Sequence, residues 1–273
     1  MAKVSDSNRQ KYHGEKTTPY QAAIKTMLNL EESTLAEIKK GVPGAALRRL
    51  TLTEYMLSVA SHYLVLSGIS QSMLKLRNEE ALNEARKSLY KAVIYMEEVV
   101  SPLLDAPYSD YENKLVEIKA VDARKRYYLV RKTGLAIKLL KNAYGDNTKW
   151  KWSFVELEGR YATVTKNMLD LKTAVVNTDP ASPDYEPTLY HLALVKKLLI
   201  ETADRYRGKY ELSTNHLDDF RMGIQFLNAL RRIHMLLGER DEAEEVKKRA
   251  EIWSAKLEKD KKKKEEVVKG KRE

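Results

Sequence analysis

Five histidines, His13, His62, His191, His216 and His234, are the first residues whose type could carry catalysis or hold a metal. None stands in His-Glu-x-x-His or another spacing that puts two ligands on one helix face. The nearest approach is His216 with Asp218 and Asp219. Acids there equally suit the first turn of a helix, where the macrodipole favours negative charge. His62 lies in the most apolar stretch of the chain and reads as a hydrogen-bonded core histidine. Cysteine is absent, so disulfides, thiolate nucleophiles, iron–sulfur clusters and cysteine-ligated zinc are excluded. No phosphate-binding glycine loop occurs, and no G-x-S-x-G elbow presents a serine. Carboxylate pairs at Glu31-Glu32, Glu97-Glu98 and Glu156/Glu158 fall on what read as exposed helix positions. Acid–base work by such a pair needs one member desolvated to raise its pKa. No Glu-x-x-His pair is available for a helical di-metal site. The sequence therefore points away from an enzyme and implies no cofactor and no metal.

Residues 119–151 carry a stronger signal, that of a binding surface. Ten Lys and Arg stand there against Asp122 and Asp146, a local charge of +8. Tyr127, Tyr128, Tyr144 and Trp150 interleave with the cations. Arg124, Arg131 and Lys138 are seven apart and line up as one stripe on a helix. Guanidinium and aromatic faces together neutralise and stack single-stranded nucleic acid. The same stripe can steer an acidic protein partner. Lys125 and Lys132 fall on another side of the helix, which spreads the charge around it, and the acidic helix at 153–176 could pair with it. Tyr127 shares a face with Ala123, Val130, Gly134 and Ile137 and reads as core. Trp150 has no packing role legible in the sequence. The candidate partner-binding residues are Arg124, Arg131, Lys138, Trp150 and Lys151.

The elements that must position these residues are helices. Gly and Pro number only 11 and 7 of 273 residues, too few for the turns of a β-sandwich or barrel. Caps and apolar periodicity predict eight helices. Thr18-Pro19 with Gln21 forms a capping-box pattern that opens the first, which stops at Gly41. The second, 44–66, is apolar on most sides and should sit centrally. Asn78 caps the third, which ends before Pro102. Ser109 with Glu112 opens a fourth reaching Tyr144, and Ser153 with Glu156 opens a fifth reaching Val176, with Trp152 and Leu157 as its hydrophobic staple. The sixth spans 188–207, the seventh 216–237, and the eighth runs from Glu239 into a Lys-rich end. Short loops imply antiparallel neighbours. The expected class is all-α, as stacked helical hairpins or a large bundle. Residues 1–17 are expected as a disordered arm, 18–258 as one domain with a possible sub-boundary at 177–187, and 259–273 as a charged tail.

Leu236-Leu237-Gly238-Glu239-Arg240-Asp241-Glu242-Ala243, with Ala250 seven further on, resembles a tetratricopeptide-type hairpin. Gly238, Ala243 and Ala250 match the family's small-residue offsets, and Leu230 suits the first helix. Arg231 and Lys247 depart from the pattern. Ala85, Leu89 and Ala92 form a second partial match. The resemblance, carried mainly by residues 224–255, implies a hairpin protein that binds other proteins, and it transfers no individual binding residue.

The net charge of +10 is concentrated at the ends: residues 1–50 and 256–273 contribute +4 each. No secretory signal follows the first basic residues, and no apolar run suits a membrane span, so the default location is the cytoplasm. Sixteen tyrosines against three phenylalanines suit protein interfaces and helix packing alike. The leading expectation is a non-catalytic helical scaffold or adaptor for another protein. The alternative is a nucleic-acid binder using 119–151, and a homo-oligomer stays open.

Overall fold

Apolar residues on several sides of one long helix dictate where the first half of the chain packs. In the computed structural model, which describes residues 11–146 and 148–269, that helix is α2 (Ala45–Leu74), with α1 (Thr18–Lys39) before it and α3 (Glu79–Val99) after it. Next come α4 (Tyr108–Glu117), α5 (Ala123–Tyr144), α6 (Lys151–Asn167) and α7 (Leu171–Val176). Then follow α8 (Tyr185–Lys209), α9 (Leu217–Leu236) and α10 (Arg240–Lys269). Single π-turns occupy Tyr12–Lys16 and Tyr210–Thr214. The described residues contain no strand, and the protein is all-α. No described helix is long and apolar enough to cross a membrane.

The chain divides into two compact units, one of residues 1–102 and 111–157, the other of residues 103–110 and 158–273. The 177–187 segment lies inside the second. In the first unit α2 packs against α1, α3 and α5. Its Leu52, Met56, Val59 and Ala60 are fully buried, as are Leu82, Ala85, Leu89, Ala92, Val93 and Met96 of α3. Alanines at 85 and 92 let the two backbones approach, which explains why that partial match to a repeat pattern falls on a buried face. In the second unit α8, α9 and α10 pack in sequence order around stacked rings, Tyr206 on Phe226 at 5.7 Å and Tyr210 on Phe220 at 4.9 Å. Gly223 of α9 is needed at the crossing with α8: a Cβ there would stand 3.0 Å from the Ala203 carbonyl oxygen and 3.3 Å from Trp253. The α9–α10 hairpin turns at Gly238 with φ +75°, and Leu230, Ala243 and Ala250 are buried in it.

Several helix ends differ from the sequence expectation. Thr18 does not cap α1. The chain is already helical from Tyr12, so its hydroxyl donates back to the Gly14 carbonyl at 2.8 Å. Of the expected arm, residues 1–10 lie outside the described residues, while Tyr12 and Thr17 are buried. The second helix does not end at residue 66 as expected but runs through Gly68 to Leu74. Leu66, Ser67 and Ser70 are buried, and their packing outweighs the roughly 1 kcal/mol that a mid-helix glycine costs. The expected fourth and fifth helices are each split by an aspartate. The Asp122 carboxylate accepts from the Lys125 amide at 2.8 Å, and that of Asp170 accepts from the Lys172 amide at 3.1 Å. An aspartate cap competes with helix continuation because it satisfies the amides that a new first turn exposes.

Candidate partner-binding groove

Helix α5 begins where Asp122 caps it. The Lys125 backbone amide, with the Lys125 and Arg124 charges beside it, holds the Asp122 carboxyl below the usual carboxylate range. One face of α5 is core: Leu129, Val130, Thr133, Ala136, Ile137, Leu140 and Tyr144 are buried. The opposite face also carries large apolar groups, with Tyr128 45%, Leu135 57% and Leu139 49% exposed. At about 100° per residue, this Tyr128–Leu135–Leu139 row falls between two rows of cations. Arg124, Arg131 and Lys138 border one side, Lys125 and Lys132 the other.

Tyr128 and Leu135 of this row form one wall of an open groove of about 670 Å³ in the first unit, and exposed Leu139 continues the row along α5 one turn beyond it. Leu47, Leu50 and Thr51 of α2 face Val121, Tyr128, Leu129 and Leu135, and Glu54, Lys125, Arg131 and Lys132 stand around them. Lys132 is tied across to Glu54 of α2 at 3.0 Å, and Lys125 to Asp122 at 3.2 Å. Countercharge for Lys132 thus comes from α2, not from the helix after 153 as the sequence suggested. Arg124, Arg131 and Lys138 are exposed. Among the described residues their charge meets no carboxylate at ion-pair distance, although Arg124 acts on Asp122 at longer range.

Trp150 and Lys151 are placed elsewhere. The Arg86 guanidinium of α3 lies 4.0 Å from the Trp150 ring centroid, and the Lys149 ammonium lies 5.2 Å from it. Trp150 therefore has the packing role that its sequence context does not reveal, and Arg86 already occupies a face of the ring. Lys151 is exposed, with its ammonium 5.0 Å from the Trp152 ring. Neither lines the α2–α5 groove; of the five candidate residues Arg131 alone lines it, and Arg124 and Lys138 lie on the same border of α5, about two turns to either side.

The residues that could do chemistry are held within the fold. His62 Nδ1 lies 2.6 Å from the Ser58 carbonyl, and buried His191 Nε2 lies 2.8 Å from that of Thr165. His234 Nδ1 meets Glu239 at 2.6 Å, where Lys196 also donates. Together these donors hold the Glu239 carboxyl below its ordinary value against the opposing effect of burial, which is the largest single influence. His216 sits at the N-terminus of α9, where Asp219 is bound by Lys209 and Thr214. The side chain of His13 lies outside the described residues. No group of three metal-ligating side chains occurs among the described residues.

The carboxylate pairs are not uniformly exposed, contrary to the sequence expectation. Glu31, Glu97 and Glu158 are buried while Glu32, Glu98 and Glu156 face solvent. Burial is tolerated where the charge is met: Lys91 donates to both Glu31 oxygens at 2.9 Å, and Arg205 pairs with Glu158 at 3.1 Å. The Tyr95 hydroxyl also donates to Glu31, and its own pKa is raised by burial and by that carboxylate.

Sequence reasoning singled out Arg131 of the groove's cations, set Lys125 and Lys132 aside as spreading the charge, and missed the apolar row of Leu135 and Leu139. A signal for them exists: α5 carries apolar residues on two opposite faces, and one packed core can cover only one of them. The sequence profile of the TP0443 family matches residues 8–261. No curated protein and no solved structure matches the chain.

Proposed function

The chain belongs to the TP0443 family, and we propose that it is a non-catalytic helical adaptor, acting in the cytoplasm, that binds another protein through the α2–α5 groove. The observation that carries this reading is the exposed Tyr128–Leu135–Leu139 row set between two rows of cations. Each of the three is about half exposed and so forgoes half of the roughly 1.5–3 kcal/mol that full burial gives, and three in a row on one helix support the reading of a surface kept for a partner. The α9–α10 hairpin, turning at Gly238 over small residues, is of the kind that tetratricopeptide proteins stack into partner-binding frameworks. Nucleic-acid binding draws on the same cations. It is supported less well, because Arg86 lies over the Trp150 ring and the groove walls are largely aliphatic.

Lysine footprinting tests the reading. The full chain is labelled with an amine-reactive reagent in the cells that naturally make it and, separately, after purification. Lys125, Lys132 and Lys138 are expected to react several-fold more slowly in cells, with Lys149 and Lys151 unchanged. Equal rates at all five positions contradict the adaptor role. Slowing that disappears on nuclease treatment favours nucleic acid instead.

A further inference from the structure

We infer that the occupant of the α2–α5 groove is an acidic amphipathic helix of about three turns, and this deepens the adaptor reading on which it rests. Tyr128 and Leu139 are eleven residues apart, roughly 16 Å at 1.5 Å per residue. A partner helix of three turns covers that distance. Both walls of the groove are helices, α2 and α5, so the seat is a channel between two ridged cylinders. A third helix fills such a channel by setting apolar anchors at i, i+3 or i+4, and i+7 against it. Strand addition would need a sheet edge, and the described residues contain no strand. A polyproline segment would need an aromatic-lined groove, and this lining holds a single aromatic, Tyr128.

Charge selects the acidic helix among amphipathic ones. Arg124, Arg131 and Lys138 make no ion pair with the described residues, and they run along one border of the apolar row. Carboxylates on the flank of a docked helix meet them at the rim, where complementary charge speeds encounter and fixes register more than it adds affinity. A second copy of this chain is disfavoured because its own α5 brings the same cations to the contact. Residues 1–10, with Asp6 as their single acid, and 270–273, Gly-Lys-Arg-Glu, do not supply an acidic amphipathic segment. Single-stranded nucleic acid would find a single aromatic in the groove, Tyr128, among leucines that offer bases no hydrogen bond.

The test is selection from a random displayed library of peptides of about 16 residues on the intact chain, long enough for three turns with their ends. Enriched sequences are expected to be net acidic, with apolar residues recurring at i, i+3 or i+4, and i+7. A representative enriched peptide, labelled for fluorescence anisotropy, should bind about tenfold or more weakly to Leu135→Glu. Arg131→Glu should slow its association several-fold at low salt, an effect that shrinks at high salt. Both positions are exposed, so circular dichroism should not change.

Enrichment without acidic bias, no enrichment, or binding indifferent to Leu135→Glu overturns the inference. So does a single-stranded oligouridylate that displaces the peptides and loses its own binding in Arg131→Glu. If the lysines are protected in cells but the selected peptides are not acidic, the inference fails while the adaptor reading stands. Unprotected lysines in cells sink the adaptor reading itself.

Discussion

Lys166 is a cation where the fold offers little water. It lies on α6 with 6% of its surface exposed. Burial, reinforced by the Arg232 charge and opposed by Asp105, pushes its pKa down from the usual 10.5 to about 8. Between those two values the unfolded chain holds a proton that the folded chain has released. Stability therefore rises with pH across that window, and below it the folded state bears the full cost of the buried charge. The expected gain from this group is about 2 kcal/mol between pH 7 and 9.5, an order-of-magnitude figure. Lys166→Met removes the titration. Urea unfolding at both pH values should show the wild type gaining on the variant as pH rises. A constant difference between them would mean that Lys166 keeps its ordinary pKa in the folded protein. No feature of the sequence marks this residue, because Lys166 follows Val164 and Thr165 in a stretch whose burial only the packing reveals.

At the scale of elements, crossings depend on where side chains are missing. Gly223 allows α9 to lie against α8 at Ala203, with Trp253 of α10 beside it. Gly223→Val puts three carbons where backbone and ring already stand. It should cost about 1–3 kcal/mol, read as a lower midpoint in thermal unfolding; an unchanged midpoint would show that the crossing can open freely. Helix existence and type were legible because apolar periodicity and caps such as Asn78, whose side chain accepts from the Ala81 amide at 2.9 Å, act within a few residues. Boundaries were less legible where a local signal competed with tertiary burial. Asp122 and Asp170 cut helices that periodicity alone would continue, while buried Leu66 and Ser70 carried α2 through Gly68. Thr18 shows a third limit: its capping pattern is intact in the sequence, and a helical turn before it removed the need for a cap.

At the scale of the whole molecule, the candidate site was half legible. The cations of 119–151 stand out in any charge count, and spacing alone set Arg124, Arg131 and Lys138 on one stripe. What their charge borders was not visible, because an exposed Leu135 and a buried Leu129 look alike in one dimension. Trp150 looked free for the same reason: its partner Arg86 is 64 residues away. The net charge of +10 gives the molecule a long-range preference for acidic surfaces, and the α2–α5 groove gives it a place where apolar contact can follow. The central claim is that a protein docks there.

A photo-crosslinking amino acid placed at Leu135 of the full chain, in its native cells, tests that claim most directly, with the exposed Ile252 of α10 as the comparison position. The account predicts discrete, nuclease-resistant protein adducts from position 135 that position 252 does not give. Adducts that nuclease destroys, or the same pattern from both positions, would contradict it.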